Sequence, residues 1–198
     1  LHMRDAAIRG ESIDEADIIY SPSSYLDTER FPNKKFIFGP HFSVFPNENA
    51  RKISNKHNNA IYIQPSQPSI DTWVHEFSFN NVPMKPFPFP LNLDDYPISK
   101  EKKDDVLLYC KHRDPNEIEF VKNFLESKNI KYIPIVYGSY IEKDFQKQLN
   151  KSKYAICIGA HESQGFAIQS IMCKNIPLLV WGVTLRKQEY PYKLEYQN

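Results

Sequence analysis

The chain has 198 residues, enough for one ordinary domain or two small ones, and its 41% hydrophobic and 25% charged residues are typical of a folded globular protein. Its 25 Lys and Arg residues against 24 Asp and Glu leave a net charge of +1, so no global electrostatic field recruits nucleic acid or an acidic membrane. Three cysteines in apolar stretches, with no C-x-x-C pair and no zinc pattern, predict reduced, buried thiols and no metal site.

No apolar run approaches the ~18 residues that a transmembrane helix needs, and the first residues carry Asp and Glu where a signal peptide would be apolar. We therefore expect no transmembrane segment and a cytoplasmic protein, in the cytoplasm of the host if the source is a virus. Leu1-His2-Met3 is typical of a cloning remnant before a start methionine, so His2 is not a candidate site residue.

The first half of the chain contains short apolar stretches that predict strands at 17–20, 36–38 and 60–63, with a helix over 69–77. These elements predict part of an α/β layer, and residues 3–82 are assigned to an N-terminal Rossmann-like domain. Residues 83–104 are assigned to an interdomain linker, because the four prolines from Pro83 to Pro90 disfavour a helix or a central strand.

The second half alternates strand and helix patterns. Residues 106–110 predict a strand buried on both faces, and Asp114-Pro115-Asn116-Glu117 predicts the next helix through a capping box. Further strands are predicted at 132–137, 154–158 and 177–181. A helix with Ile141, Phe145 and Leu149 at helical spacing and a second over 165–173, with Ala167, Ile168, Ile171 and Met172 facing inward, separate these strands. The rhythm predicts parallel β-α-β units, so residues 105–198 are assigned to a C-terminal Rossmann-like domain.

Ligands of open parallel sheets bind beyond the carboxyl ends of the strands. Lys111 and Arg113 follow the strand at 106–110 and precede a helix, which suits a diphosphate. They are equally consistent with ordinary loop cations. Glu162-Ser163-Gln164-Gly165 opens a helix, where a carboxylate can accept sugar hydroxyls and backbone N–H groups attract anionic oxygens. The alternative for this stretch is a plain helix cap.

His41 lies in a tight loop after the strand at 36–38, where it can face a transferred sugar or serve as a satisfied turn residue. No G-x-G-x-x-G follows a predicted strand, which disfavours a nucleotide-sugar epimerase or a related dinucleotide enzyme.

Glu162-Ser163-Gln164-Gly165-Phe166-Ala167, followed by Pro177-Leu178-Leu179-Val180, resembles the acidic-motif region of family 4 glycosyltransferases. The segments 36–46 and 62–66 are similar to compact viral and bacterial members. The resemblance implies the GT-B fold, an α/β fold of two Rossmann-like parallel-sheet domains. It implies transfer of a sugar from a nucleotide donor to a glycan or other acceptor, with retention and without a metal or a resident cofactor.

The resemblance implies a UDP- or GDP-linked donor held by the C-terminal domain, with the N-terminal domain on the acceptor side. Glu162 and His41 are the implied catalytic residues. The implied donor-binding residues are Lys111, Arg113, Tyr137, Gly138, Ser163, Gln164, Gly165, Phe166 and Ser170. Ser170 departs from the family, which usually has a second glutamate there to hold the ribose. This departure keeps open a degenerate module that binds nucleotide or glycan without catalysis.

Overall fold

The computed structural model describes residues 15–24, 26–41, 59–76, 78–79, 82–99, 104–160, 162, 164–183 and 190. The chain divides into two compact units, Leu1–Phe89 and Pro90–Asn198. Each unit contains a four-stranded sheet in which every paired strand is parallel to its neighbour. The predicted α/β class, with two Rossmann-like parallel sheets, is confirmed.

The first sheet consists of β1 (Ile18–Ser21), β2 (Lys35–Phe38), β3 (Ala60–Gln64) and β4 (Met84–Pro86), in that spatial order. Helix α1 (Gln67–Asp71) follows β3 and continues into a π-helical turn over Thr72–Glu76. The core of the first unit is aromatic. It contains five buried rings that pack together: Phe36, Phe38, Tyr62, Trp73 and Phe79. Aromatic rings of this size bury enough apolar area to hold a small sheet.

Strand β4 lies within the stretch assigned to the linker, and the boundary between the units falls at residues 89 and 90. Pro86 ends this strand, which is at the edge of the sheet. Proline is tolerated there because an edge strand has one side without ladder hydrogen bonds.

The second sheet has the order β6-β5-β7-β8, with β5 (Asp105–Cys110), β6 (Tyr132–Val136), β7 (Ser152–Ile158) and β8 (Leu178–Val180). The connecting helices are α2 (Pro115–Ser127), α3 (Glu142–Lys151) and α4 (Phe166–Cys173). Each element predicted in this half is present, with bounds that differ by no more than two residues.

Strand β5 explains why its sequence is continuously apolar. Leu107 and Tyr109 point to one face and pack with residues of α3 and α4, whereas Leu108 and Cys110 point to the other face and pack against α2. A strand with helices on both faces has no polar side. Met172 was predicted to face inward and is 63% exposed, because the short α4 contacts the sheet only through the stripe that contains Ala167 and Ile171.

At the start of α2, the N-cap side chain bonds the helix backbone as a capping box requires, but the glutamate at the third position has another partner. The Asp114 carboxylate accepts a hydrogen bond from the Asn116 N–H at 2.8 Å, and Pro115 occupies the first helical position, as predicted. The Glu117 carboxylate binds the Arg113 guanidinium instead of returning to the Asp114 N–H. A charged donor competes successfully for this carboxylate because charge-assisted hydrogen bonds are stronger than bonds to a neutral amide.

Cys110, Cys157 and Cys173 are free thiols, the first two buried and the third half-buried. Burial raises the pKa of the Cys110 thiol to about 11 and that of Cys157 to about 12. Both therefore stay protonated and unreactive at neutral pH.

None of the helices in the described ranges has the length and apolar character that crossing a bilayer requires.

Candidate functional site

Two chain segments are fixed at the carboxyl edge of the second sheet by hydrogen bonds that continue the strand ladder. The Lys111 N–H donates to the Ile158 carbonyl at 2.9 Å, and the Tyr137 N–H donates to the Cys110 carbonyl at 2.9 Å. Each residue is the first after its strand, so its side chain emerges where parallel sheets bind ligands.

Lys111, Glu162 and Tyr137 come together at this edge. The Lys111 Nζ lies 2.7 Å from Oε2 of Glu162, a residue 51 positions later in the chain, and both side chains are 20% exposed. The same Nζ lies 4.7 Å from the centroid of the Tyr137 ring. The ion pair is therefore partly shielded from water, with an aromatic face on one side of the cation.

A pair of tyrosine hydroxyls lies close to the ion pair. Burial, followed by Tyr140 and the charge of Glu162, raises the pKa of Tyr109 well above its usual range, and burial likewise raises the pKa of Tyr140. The rings of Tyr109 and Tyr140 meet edge to face, with centroids 6.4 Å apart. Both phenols therefore keep their protons at neutral pH.

Gly165 brings the first turn of α4 against Glu162. Its φ is +72°, a left-handed conformation that favours glycine, and an added Cβ would lie 3.4 Å from Cβ and Cγ of Glu162. As a glycine it caps α4 without a side-chain hydrogen bond. The Gln164 Nε2 donates to Gln169 at 3.1 Å, and the Phe166 side chain is 49% exposed. Ser163, another predicted donor-binding residue, lies outside the described residues.

Arg113 has a different environment from Lys111. Its side chain is 1% exposed, and each of its three guanidinium nitrogens donates to at least one acceptor. Nε and Nη2 bind Glu117 Oε2 at 2.6 and 2.5 Å, Nη1 donates to the carbonyls of Gly159 and Trp181 at 2.8 and 3.5 Å, and Nη2 donates to the Gly182 carbonyl at 3.3 Å. Because Gly159 follows β7 and Trp181 follows β8, this side chain holds the ends of two strands together.

Arg113 is thus buried with its three nitrogens engaged inside the protein, so of the two cations predicted for a diphosphate only Lys111 is partly exposed. Arg113 contributes to the site indirectly, because Gly159 and Glu162 belong to the same loop after β7. It is a positioning residue.

Ser170 is buried in α4, and its Oγ donates to the Tyr96 hydroxyl at 3.2 Å. One turn later, the buried Lys174 Nζ donates to the Pro97 carbonyl at 2.8 Å and to Asn150 Oδ1 at 3.0 Å. The segment before β5 is thus attached to the helix at the position where the family resemblance implies a ribose ligand. Gly138, another predicted donor residue, is in an exposed turn with a φ of +78° and open space around its Cβ position.

His41 belongs to the first unit, at the carboxyl end of β2. Its N–H donates to the Pro22 carbonyl at 2.8 Å, and its exposed ring stacks on Phe89 with centroids 5.1 Å apart. Gly39 precedes it in close contact with β3, since an added Cβ would lie 2.1 Å from the Ile63 carbonyl oxygen. The residues that the structure brings together are Lys111, Tyr137, Glu162 and Gly165.

Sequence reasoning missed the hydroxyls of Tyr109 and Tyr140. Tyr109 is within an apolar run that predicts core, and its ring contact with Tyr140 depends on β5 and β6 being neighbours in the sheet. In the described ranges, no three His, Cys, Asp or Glu side chains are grouped as a metal ion would require. The absence of a metal requirement stays a prediction.

No protein-family model and no curated protein matches the chain significantly. Among solved structures, it is similar to sucrose-phosphate synthase from Thermosynechococcus elongatus, with a TM-score of 0.56 and 10% sequence identity over 90% of this chain. The chain covers 58% of the length of that protein. At this identity the likeness shows the fold alone, and the fold is the predicted α/β architecture of two Rossmann-like parallel sheets, the GT-B class.

Proposed function

We propose that the chain is a glycosyltransferase, or the catalytic part of one, and that the carboxyl edge of its second sheet holds a nucleotide-sugar donor. The observation that carries the proposal is the Lys111–Glu162 pair beside the glycine-capped first turn of α4. The solved protein of similar fold is named a sucrose-phosphate synthase, which supports sugar chemistry at a coarse level.

Lys111 supplies the charge that a diphosphate needs. Its ammonium carries three N–H donors, of which Glu162 engages one, and a compact ammonium binds phosphate as a point charge. The first turn of α4 adds backbone N–H groups and the positive end of the helix dipole. Together they neutralise the charge that develops on the leaving diphosphate, which is the basis for proposing transfer without a metal ion.

Glu162 orients the sugar. Its Oε2 is bound to Lys111, whereas its Oε1 accepts no hydrogen bond from the described part of the chain. A carboxylate oxygen in this state is an acceptor for sugar hydroxyls. Retention of configuration, a UDP- or GDP-linked donor and a glycan acceptor complete the proposal on the strength of the family 4 resemblance, in which His41 contacts the sugar or the acceptor.

The direct test is calorimetric titration of the chain with UDP, GDP, their sugars and the corresponding nucleosides, with and without a chelator. One diphosphate is expected to bind equally well in both conditions, and its nucleoside at least about tenfold more weakly because the charged contacts are lost. Absence of binding by every diphosphate contradicts the proposal.

Glu162→Gln is expected to change donor binding and transfer in opposite directions. The amide no longer neutralises Lys111, so affinity for the nucleoside diphosphate should rise roughly 3- to 10-fold. Release of diphosphate from the nucleotide sugar should fall at least about tenfold, because a neutral amide is a weaker acceptor for sugar hydroxyls.

The matched control for this variant is Glu119→Gln, which breaks a surface ion pair with Lys122 on α2. It should change neither quantity. A lower diphosphate affinity in Glu162→Gln would show that Glu162 does not compete with phosphate for Lys111.

A further inference from the structure

The Gln64 side chain at the end of β3 is fully buried, and neither its Nε2 nor its Oε1 has a hydrogen-bond partner in the described part of the chain. The backbone is satisfied, since the Gln64 carbonyl accepts from the Phe87 N–H at 2.7 Å. Only the carboxamide is unpaired. A buried amide without partners is costly, and such groups in native proteins are few.

The stability of the fold does not account for this glutamine. Gln64 points to the same face of β3 as Tyr62, whose ring packs in the aromatic core with Phe38 and Trp73. A leucine would occupy a similar volume there without leaving an amide unpaired. The polar group therefore lowers stability at this position, which is the usual signature of a functional residue.

The surroundings of Gln64 identify where a ligand would approach. Strand β3 lies between β2 and β4, and Gln64 is paired in register with Pro86 of β4. Strands β2 and β4 are about 10 Å apart, two strand spacings, yet the rings of His41 after β2 and Phe89 after β4 stack at 5.1 Å. The stacked rings therefore join the chain beyond β2 to the chain beyond β4, the two neighbours of β3.

We propose that the carboxyl end of β3 is a saccharide subsite, in which the Gln64 carboxamide hydrogen-bonds hydroxyl groups of a neutral sugar once the His41 and Phe89 rings part. The inference rests on the proposed glycosyl transfer for its ligand class. It concerns the first unit and does not use the Lys111–Glu162 pair.

The chemistry of the subsite favours a sugar over an ion. A carboxamide offers two N–H donors and an acceptor oxygen without net charge, and neighbouring sugar hydroxyls both donate and accept. The aromatic core beside Gln64 does not compensate a charged ligand, whose burial is costly. Ring faces such as those of His41 and Phe89 suit the apolar C–H surface of a pyranose.

The first arm of the test measures stability in Gln64→Leu. Because the chain has two tryptophans, Trp73 in the first unit and Trp181 in the second, labelling with 5-fluorotryptophan gives one ¹⁹F resonance for each unit. The midpoint of thermal unfolding at Trp73 should rise by roughly 2 to 6 °C. Gln67→Leu is the control, since Gln67 is exposed on α1 and its side chain donates to Asp71 on the surface.

The second arm measures binding of the methyl glycosides of glucose, galactose, mannose and N-acetylglucosamine by saturation-transfer NMR. At least one should bind the wild-type chain and Gln67→Leu, and bind Gln64→Leu at least about tenfold more weakly, from the loss of two hydrogen bonds. UDP or GDP affinity should not change in Gln64→Leu.

Three results would overturn the subsite: a lower midpoint at Trp73 in Gln64→Leu, no binding of any glycoside, or equal binding to Gln64→Leu and the wild-type chain. Failure of the nucleotides to bind, with glycoside binding that depends on Gln64, would instead contradict the donor site and leave the subsite standing.

Discussion

Arg113→Ala is expected to lower the free energy of unfolding of the second unit by about 2 to 4 kcal/mol. The substitution removes the donors for three carbonyl groups, those of Gly159, Trp181 and Gly182, at the ends of β7 and β8. It also leaves the Glu117 carboxylate without its partner, although that side chain is 44% exposed and regains water. Most of the loss therefore comes from the carbonyls.

The ¹⁹F resonance of 5-fluorotryptophan at Trp181 measures this loss directly, because Arg113 bonds the Trp181 carbonyl. Arg113→Lys should retain only part of the stability, since an ammonium cannot reproduce the planar, five-donor geometry. Lys122→Ala on α2 removes a surface ion pair with Glu119 and should shift the unfolding midpoint little. An unchanged midpoint in Arg113→Ala would contradict the positioning role.

Lys111→Ala is expected to weaken binding of the nucleoside diphosphate by roughly 10- to 100-fold, because each charge-assisted hydrogen bond contributes about 1.5 to 3 kcal/mol. The fold should survive, since this side chain is partly exposed and, within the described ranges, its hydrogen-bond partner is Glu162, which is also partly exposed. Titration calorimetry with UDP and GDP gives the affinity, and the Trp181 resonance shows that the unit is folded.

Lys153→Ala is a close control for Lys111→Ala. Lys153 is also a lysine of the second sheet with its Nζ over a tyrosine ring, 5.4 Å from the Tyr154 centroid, but it lies at the opposite, amino end of β7. It should bind the diphosphate as the wild-type chain does. Equal affinities in Lys111→Ala and Lys153→Ala would remove the donor site from this edge of the sheet.

The roles of Arg113 and Lys111 can also be distinguished by experiment. At a temperature where Arg113→Lys is still folded, it should bind the diphosphate with nearly wild-type affinity, because Arg113 positions the loop after β7 and does not contact the phosphate. Lys111→Ala should lose affinity at every temperature.

The sequence by itself determined the α/β architecture and most of the second sheet. The continuously apolar 106–110 stretch specifies a strand covered on both faces, and Asp114 followed by Pro115 specifies a helix start through contacts within four residues. Such local signals are readable because the chemistry that satisfies them lies in the same short segment. For the same reason Gly165, at the start of its helix, was a recognisable candidate.

Only the tertiary structure decided which cation of the Lys111-His112-Arg113 stretch faces the site. His112 has a φ of +50°, which interrupts the strand geometry, so Lys111 turns to Glu162 and Arg113 turns inward. Glu117, the carboxylate partner of Arg113, is four residues away, but its carbonyl partners are 46 to 69 residues away. Contacts over such separations depend on which strands are neighbours, and that is not encoded in any local pattern.

The same reason applies to Ser170 and Gln64. Ser170 reads as a substituted ribose ligand, yet its hydroxyl is engaged by Tyr96, 74 residues earlier. Gln64 reads as an ordinary polar residue ending a strand, and only its complete burial between β2 and β4 shows that its amide lacks a partner. Sequence specifies which polar groups are present, whereas the packing of the sheets decides which of them are satisfied internally and which remain for a ligand.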